Sequence, residues 1–322
     1  MNMKMKSLFN IAIAILTVIV TGCAAPSAKE YGTWADALDA SAWESSQWIS
    51  AVDAPVVTGK TGDMENNRAA DGSSWFVSTI KNEQKVASAK WMTTGLGVYE
   101  IYVNGKAIGQ EFMKPGYTHY AKTRRSFTYD ITDAFQTGAG AENQLSAQVT
   151  PGWWADKIIT PHGHEGFYGK KPAFRGVLEL TYADGSKKLY GTDLENWKAG
   201  VAGPIKHAAI FDGEPYDARE PLGYACADKF AQPELNTEFS GEILPSAGAE
   251  IYLRKDIALA PVKAYIWNGV EGAKEKEFGK VVITKEYAQG EEMIVKAGET
   301  LVVDFCQNCA GVPSFVFKAQ EG

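Results

Sequence analysis

The chain has 322 residues, 39 acidic side chains against 32 basic ones, and a formal net charge of −7, and no basic run exceeds a pair such as Arg124-Arg125. That balance excludes a nucleic-acid partner, which needs a concentrated positive face. Nine Trp and fourteen Tyr suit the apolar C–H faces of sugars as well as an ordinary core, so composition leans towards carbohydrate without deciding the matter.

At the N-terminus two cations, Lys4 and Lys6, precede an apolar run over residues 11–20. The run is too short to cross a ~30 Å hydrocarbon layer, which takes ~20 residues, and a basic start with a small-residue exit predicts a secretory signal over 1–22. The exit Val20-Thr21-Gly22-Cys23 resembles the bacterial lipobox. The resemblance implies a lipid on Cys23 and a membrane partner reached through that anchor. The alternative is an ordinary signal peptide cut nearby. Ala24 supplies no acidic residue of the kind expected for inner-membrane retention, so the expected location is the outer membrane, on its periplasmic or surface side. Residues 23–35 read as a tether.

Short strands are predicted beyond it. Residues 47–52 and 73–80 flank a polar loop; 85–93 and 98–103 alternate apolar and polar; 126–131 and 143–150 continue the pattern. Asn104-Gly105 after one alternation and Asp184-Gly185 between 176–182 and 187–190 are hairpin turns, because these residues tolerate positive φ. Amphipathic helical windows are scarce. The fold class is therefore all-β, an antiparallel, jelly-roll-like sandwich over 36–220, and not a parallel α/β sheet, whose strands would be apolar throughout. From 221 a polar stretch reads as a linker. Strand candidates resume at 250–253, 262–267, 280–283, 292–295, 300–305 and 314–318, and the sequence stops within that run, which predicts a second β domain over 221–322 that is truncated. Cys226, Cys306 and Cys309 cannot all pair with one another, so this is not a disulfide-built fold.

Residues 95–106, containing Tyr99, Asn104 and Gly105, are similar to a Leu-Gly-Val-Tyr-Glu-x-x-x-Asn-Gly-Lys stretch of the bacterial α-L-rhamnosidase family. Residues 115–120 look like its Pro-Gly-Trp-Thr-x-Tyr, and 129–133 like its Tyr-Asp-Val-Thr-Asp. Asp212-Gly213-Glu214-Pro215-Tyr216-Asp217-Ala218-Arg219 resembles its Asp-Gly-Glu-x-Tyr-Asp-Ala-Arg. Further on, Asp304-Phe305-Cys306-Gln307-Asn308 resembles its Asp-Phe-Gly-Gln-Asn, with Cys306 where the family has glycine. The resemblance implies β-sandwich domains ahead of an (α/α)₆ barrel that carries the acids of an inverting glycosidase, and a rhamnose-containing oligosaccharide or polysaccharide as partner. The catalytic acids have no counterparts in this sequence. Two readings follow: the front part of an α-L-rhamnosidase, inactive alone, or a stand-alone surface lipoprotein that binds carbohydrate.

The candidate residues divide accordingly. Asp212, Glu214 and Asp217 are assigned no catalytic role, because paired acids need a pocket and ~6.5–9.5 Å between them; an acidic loop capped by Arg219 is expected. Trp153, Trp154, Asp156 and Tyr168, in a Gly- and aromatic-rich loop, are the carbohydrate-binding candidates, against the alternative that the Trp pair packs a core edge. A related domain in some of these enzymes binds rhamnose with calcium, but its ligands do not map onto this sequence, so calcium stays open. No other cofactor or metal is expected: His162 and His164 lack a third ligand. Cys306 and Cys309 follow a strand, which predicts half-buried thiols or a local disulfide rather than a redox centre.

Overall fold

A computed structural model describes residues 15–18, 30–56, 72–158, 165–211, 213–248 and 250–318. They fall into two compact units, one ending at Leu253 and one running from Arg254 together with Ile15–Val18.

The first unit is a two-sheet sandwich. Its main strands are β1 (Ser73–Lys81), β2 (Val86–Leu96), β3 (Val98–Val103), β4 (Thr123–Asp130), β5 (Glu142–Thr150), β6 (Ala173–Tyr182), β7 (Lys187–Gly191) and β8 (Trp197–Ala202). One sheet has the order β8-β1-β5-β3 followed by Lys106–Ala107, all antiparallel. The other runs from Glu234–Leu235 through Ile49–Ser50, β6, β2 and β4 to Glu242–Pro245, with β7 also on β6. Only the last of these pairings is parallel, because that strand returns to β4 through a long connection and not through a hairpin.

Alternation decides which side chains enter the core. In β3, Tyr99, Ile101 and Val103 are buried while Val98, Glu100 and Tyr102 are half-buried, as the period of two requires. At the centre Phe174 meets Phe76, Trp91, Tyr99 and Trp197 at ring-centroid distances of 5.9, 6.1, 6.1 and 5.8 Å. Gly97 alone carries the chain from β2 in one sheet to β3 in the other. Its φ is +134° and a Cβ there would lie 2.1 Å from the Thr150 carbonyl oxygen, so both conformation and space demand glycine.

Both predicted hairpins are present. Asn104 and Gly105 take φ of 51° and 75°, and the Asn104 amide ties the turn down by donating to Ala134 O at 3.1 Å and Asn143 Oδ1 at 2.9 Å. At the second hairpin Ser186 N donates to Asp184 Oδ1 at 2.9 Å.

The boundary differs from the one expected at residue 220. Residues 221–253 stay with the sandwich: Gly223–Lys229 forms a 3₁₀ helix against Trp75, Tyr224 meeting its ring at 5.7 Å. Ile251–Tyr252 pairs with Glu111–Phe112. The linker-like polarity of the stretch reflects one-sided burial rather than independence.

In the second unit Lys263–Glu271 lies between Lys280–Tyr287 and Thr300–Asp304. Met293–Lys296 pairs antiparallel with Ile15–Val18, which also pairs with Phe317–Lys318. Ala264, Ile266, Tyr287, Met293 and Val295 form its core. Cys306 has φ of 55° and takes Asp304 Oδ1 on its N–H at 2.7 Å, a left-handed conformation at the position where the resembling family has glycine. Cys306 and Cys309 are exposed free thiols rather than half-buried ones, because the loop that follows Asp304 lies on the surface. No described helix is long and apolar enough to cross a membrane. Cys23 lies outside the described residues, as do residues 1–14 and 19–22 of the expected signal.

Candidate functional site

The loop between β5 and β6 begins with a single helical turn, Gly152–Ala155. Successive residues on such a turn point about 100° apart, so the two adjacent tryptophans go different ways. Trp154 is 1% exposed and its indole Nε1 donates to Lys171 O at 3.1 Å. It packs against Tyr120 and Phe239, and a Cβ on Gly169 would fall 2.0 Å from its ring. Trp153 stays half-buried and meets Tyr117 edge-on at 5.9 Å. Of the expected sugar-binding residues Trp154 is therefore a core residue, corrected here because it has no free ring face. Asp156 is buried too: Lys157 N donates to its Oδ1 at 2.6 Å, and His207 Nε2 lies 3.0 Å from its Oδ2. It offers nothing to a sugar in this arrangement.

What remains at the surface is an aromatic face. Tyr117 and Phe167 are 53% and 59% exposed, with Trp153 and Tyr168 half-buried beside them. The Tyr117 and Tyr168 hydroxyls lie 3.2 Å apart, and that hydrogen bond, with some burial, raises the Tyr168 pKa. Phe167 meets Tyr168 edge-on at 4.9 Å and His119 meets it at 6.1 Å. Beneath them Tyr120 is buried, 5.2 Å from Tyr168 and 5.4 Å from Tyr117. The Arg124 guanidinium sits 3.3 Å from the Tyr120 ring centroid and 4.6 Å from that of Trp154. It is fully buried, its three nitrogens have no hydrogen-bond partner among the described residues, and burial pulls its pKa down to about 10. Stacking on aromatic faces is the interaction that holds it.

Of the candidate residues singled out in the sequence, Trp153 and Tyr168 lie in this face, which Tyr117, His119 and Phe167 join from outside that set. Tyr117 stands in the 115–120 stretch already singled out, where an aromatic after Pro-Gly was the available signal. Tyr99, Asn104 and Gly105 lie elsewhere: the Tyr99 hydroxyl donates inside the core to Thr93 O at 3.1 Å, and the other two make the hairpin turn.

The acidic segment forms one strand of a small hairpin in which Ile205 bridges Tyr216 and Ala209 bridges Gly213. Asp212 lies outside the described residues. Asp217 is gripped by Arg219 through two bonds, 2.8 and 2.7 Å, which hold its carboxyl far below the usual range. Glu214 is raised by burial, and Tyr216 is exposed. His162 and His164 also fall outside the described residues. Among the described residues no group of three or more His, Cys, Asp or Glu is placed to hold a metal.

Residues 84–239 match the family model of the alpha-L-rhamnosidase N-terminal domain. An alpha-L-rhamnosidase of Streptomyces avermitilis is 39% identical over 137 residues, covering 42% of this chain and 13% of that protein. Another from Alteromonas sp. is 28% identical over 241 residues, covering 74% of this chain and 23% of that protein. The chain thus spans less than a quarter of either relative. The crystal structure of the Streptomyces avermitilis alpha-L-rhamnosidase complexed with L-rhamnose shares the fold, with a TM-score of 0.54 at 23% identity over 73% of this chain and 26% of that one.

Proposed function

We propose that the sandwich, whose residues 84–239 match the family model of the alpha-L-rhamnosidase N-terminal domain, is the sugar-recognising part of an α-L-rhamnosidase-type glycoside hydrolase acting on rhamnose-containing glycans. The observation that carries this reading is the aromatic face of Tyr117, Phe167, Trp153 and Tyr168, held from below by buried Tyr120 and Trp154. Rings fixed by packing present flat apolar surface at little entropic cost, and their hydroxyls stay wet. In this reading hydrolysis is the work of a separate catalytic domain, and Asp217, gripped by Arg219, has a structural role.

Calorimetric titration of the full chain with L-rhamnose, with and without calcium, is expected to give binding heat. Trp153→Ala and Tyr117→Ala should each weaken it by about tenfold, the scale of one ring contact. An aryl rhamnoside added to the same preparations should stay intact. Absence of heat in every titration removes the recognition reading, and clear hydrolysis removes the division of labour.

We also propose that Cys23 carries a lipid and holds the sandwich at a membrane, a reading supported by the small residues that precede the cysteine after a short apolar run. Processing there would take Ile15–Val18 away from Met293–Lys296. Cys23→Ala should move the protein from the membrane fraction to the soluble one; unchanged partitioning sinks the anchor.

A further inference from the structure

We propose that the sandwich holds a second ligand site, apart from the aromatic face: a cavity of about 310 Å³ between β3 and the 205–216 hairpin that takes one neutral sugar ring, whose hydroxyls donate to Glu100 and Glu214. Its volume is at the lower end of the ~300–1,000 Å³ typical of small-ligand pockets. Val98, Phe112, Met113, Ile205 and Ile210 give it apolar walls, and the polar lining comes from Glu100, Gln148, Thr150 and Glu214.

The state of those polar groups selects the ligand. Gln148 Nε2 already donates to Ser73 Oγ at 2.6 Å, and Thr150 Oγ1 donates to Val98 O at 3.3 Å. Glu100 Oε2 accepts from Lys114 Nζ at 2.8 Å, and the residue lines the cavity. Glu214, exposed on the hairpin at the mouth of the cavity, makes neither a hydrogen bond nor an ion pair among the described residues, and the partial burial of its carboxyl raises it. Glu100 is raised by burial as well, which outweighs Lys114. The groups left facing the space are therefore carboxylate acceptors, and an occupant must bring donors.

Three classes of donor-bearing or polar ligand can be compared. An anion is repelled by both glutamates. A cation is disfavoured beside Glu100, because the Lys114 ammonium, its side chain fully buried, already occupies that carboxylate. A sugar ring is neutral, carries adjacent hydroxyls that a carboxylate binds strongly, and has a C–H edge for the Val98, Ile205 and Ile210 wall. The inference does not depend on the aromatic face binding anything.

The test uses the full chain carrying Trp153→Ala, which disables the aromatic face, and follows methyl NMR signals of Met113, Ile205 and Ile210. Added methyl α-L-rhamnoside or methyl β-D-glucoside is expected to shift these methyls saturably. Glu214→Gln should weaken the effect by about tenfold, the size of one charge-assisted hydrogen bond. Ala208→Phe, which fills the cavity from the exposed hairpin, should abolish it while the Phe174 and Trp91 core signals stay unchanged. Methyls unmoved by both glycosides would overturn the proposal. So would shifts equal in size in both cavity variants, or a stronger response to methylammonium than to either glycoside.

Discussion

Trp154→Ala is expected to lower the unfolding free energy of the sandwich by about 3–5 kcal/mol, the range for truncating a buried large aromatic. Trp153→Ala, one residue away, should cost less than about 1 kcal/mol, as substitutions at half-exposed positions usually do. The contrast follows from the single turn at Gly152–Ala155. Gly152 has φ of +49°, and a Cβ there would sit 2.6 Å from Val98 Cγ2. This fixes how the turn leaves β5 and so which indole enters the molecule. Trp154 then lies under Tyr120 and beside Phe239, with its Nε1 satisfied by Lys171 O. Removing it opens a cavity and takes one stacking partner from Arg124, whose guanidinium lies 4.6 Å away and is left with Tyr120 and Phe239. Urea unfolding followed by far-UV circular dichroism measures both variants. Equal losses for the two tryptophans would mean that the turn does not sort them as described.

The pair also shows what was legible in the sequence. Strand alternation and the Asn104-Gly105 and Asp184-Gly185 turns were readable because each depends on neighbours within a few residues, and the sandwich followed from them. Trp153-Trp154 was readable as an aromatic loop but not as one indole in and one out, since that choice is made by contacts with Tyr120, Lys171 and Phe239. The 221–253 segment read as a linker for a related reason. Its strands are two to four residues long, too short to show a period, and they are strands only because Ile49–Ser50, β4 and Glu111–Phe112 supply the partners. Tyr117 and Phe167 come together from separate loops through Tyr168, so no spacing rule could have joined them.

Glu111 is the clearest case of a residue whose role is invisible in sequence, and it carries the second large expectation. It is buried at 4% exposure and collects donors from across the unit. Tyr129 donates its hydroxyl to Oε2 at 2.6 Å, and Gln110 N donates to the same oxygen at 3.0 Å. Trp34 Nε1 and, at 3.3 Å, the Tyr252 hydroxyl donate to Oε1. The carboxylate thereby ties Thr33–Trp34, paired with β4, to Ile251–Tyr252, paired with Glu111–Phe112. Glu111→Ala leaves the buried Tyr129 hydroxyl without its acceptor, at about 1–3 kcal/mol, and removes the bonds from the partly exposed Trp34 and Tyr252, at about 0.5–1.5 kcal/mol each, so a total loss of about 2–6 kcal/mol is expected. Glu111→Gln keeps the shape and one acceptor oxygen and should lose less.

The same geometry sets a pH dependence. Burial pushes the Glu111 carboxyl up, but the hydrogen bonds from Tyr129, Trp34 and the backbone, with the Lys114 charge, together outweigh it and hold the pKa below the ordinary 4.5. A folded-state pKa below the unfolded one means that the contribution is complete above the unfolded value and is lost as pH falls through the folded one. Wild-type unfolding free energy should therefore decline on acidification from about 4.5 downward, and Glu111→Gln, which cannot titrate, should decline less steeply over that window. Parallel urea titrations at neutral and acid pH read both slopes. Identical slopes would show that the carboxylate is not held ionised by its ring partners, and a Glu111→Ala protein as stable as wild type would show that Trp34 and Tyr129 find other acceptors.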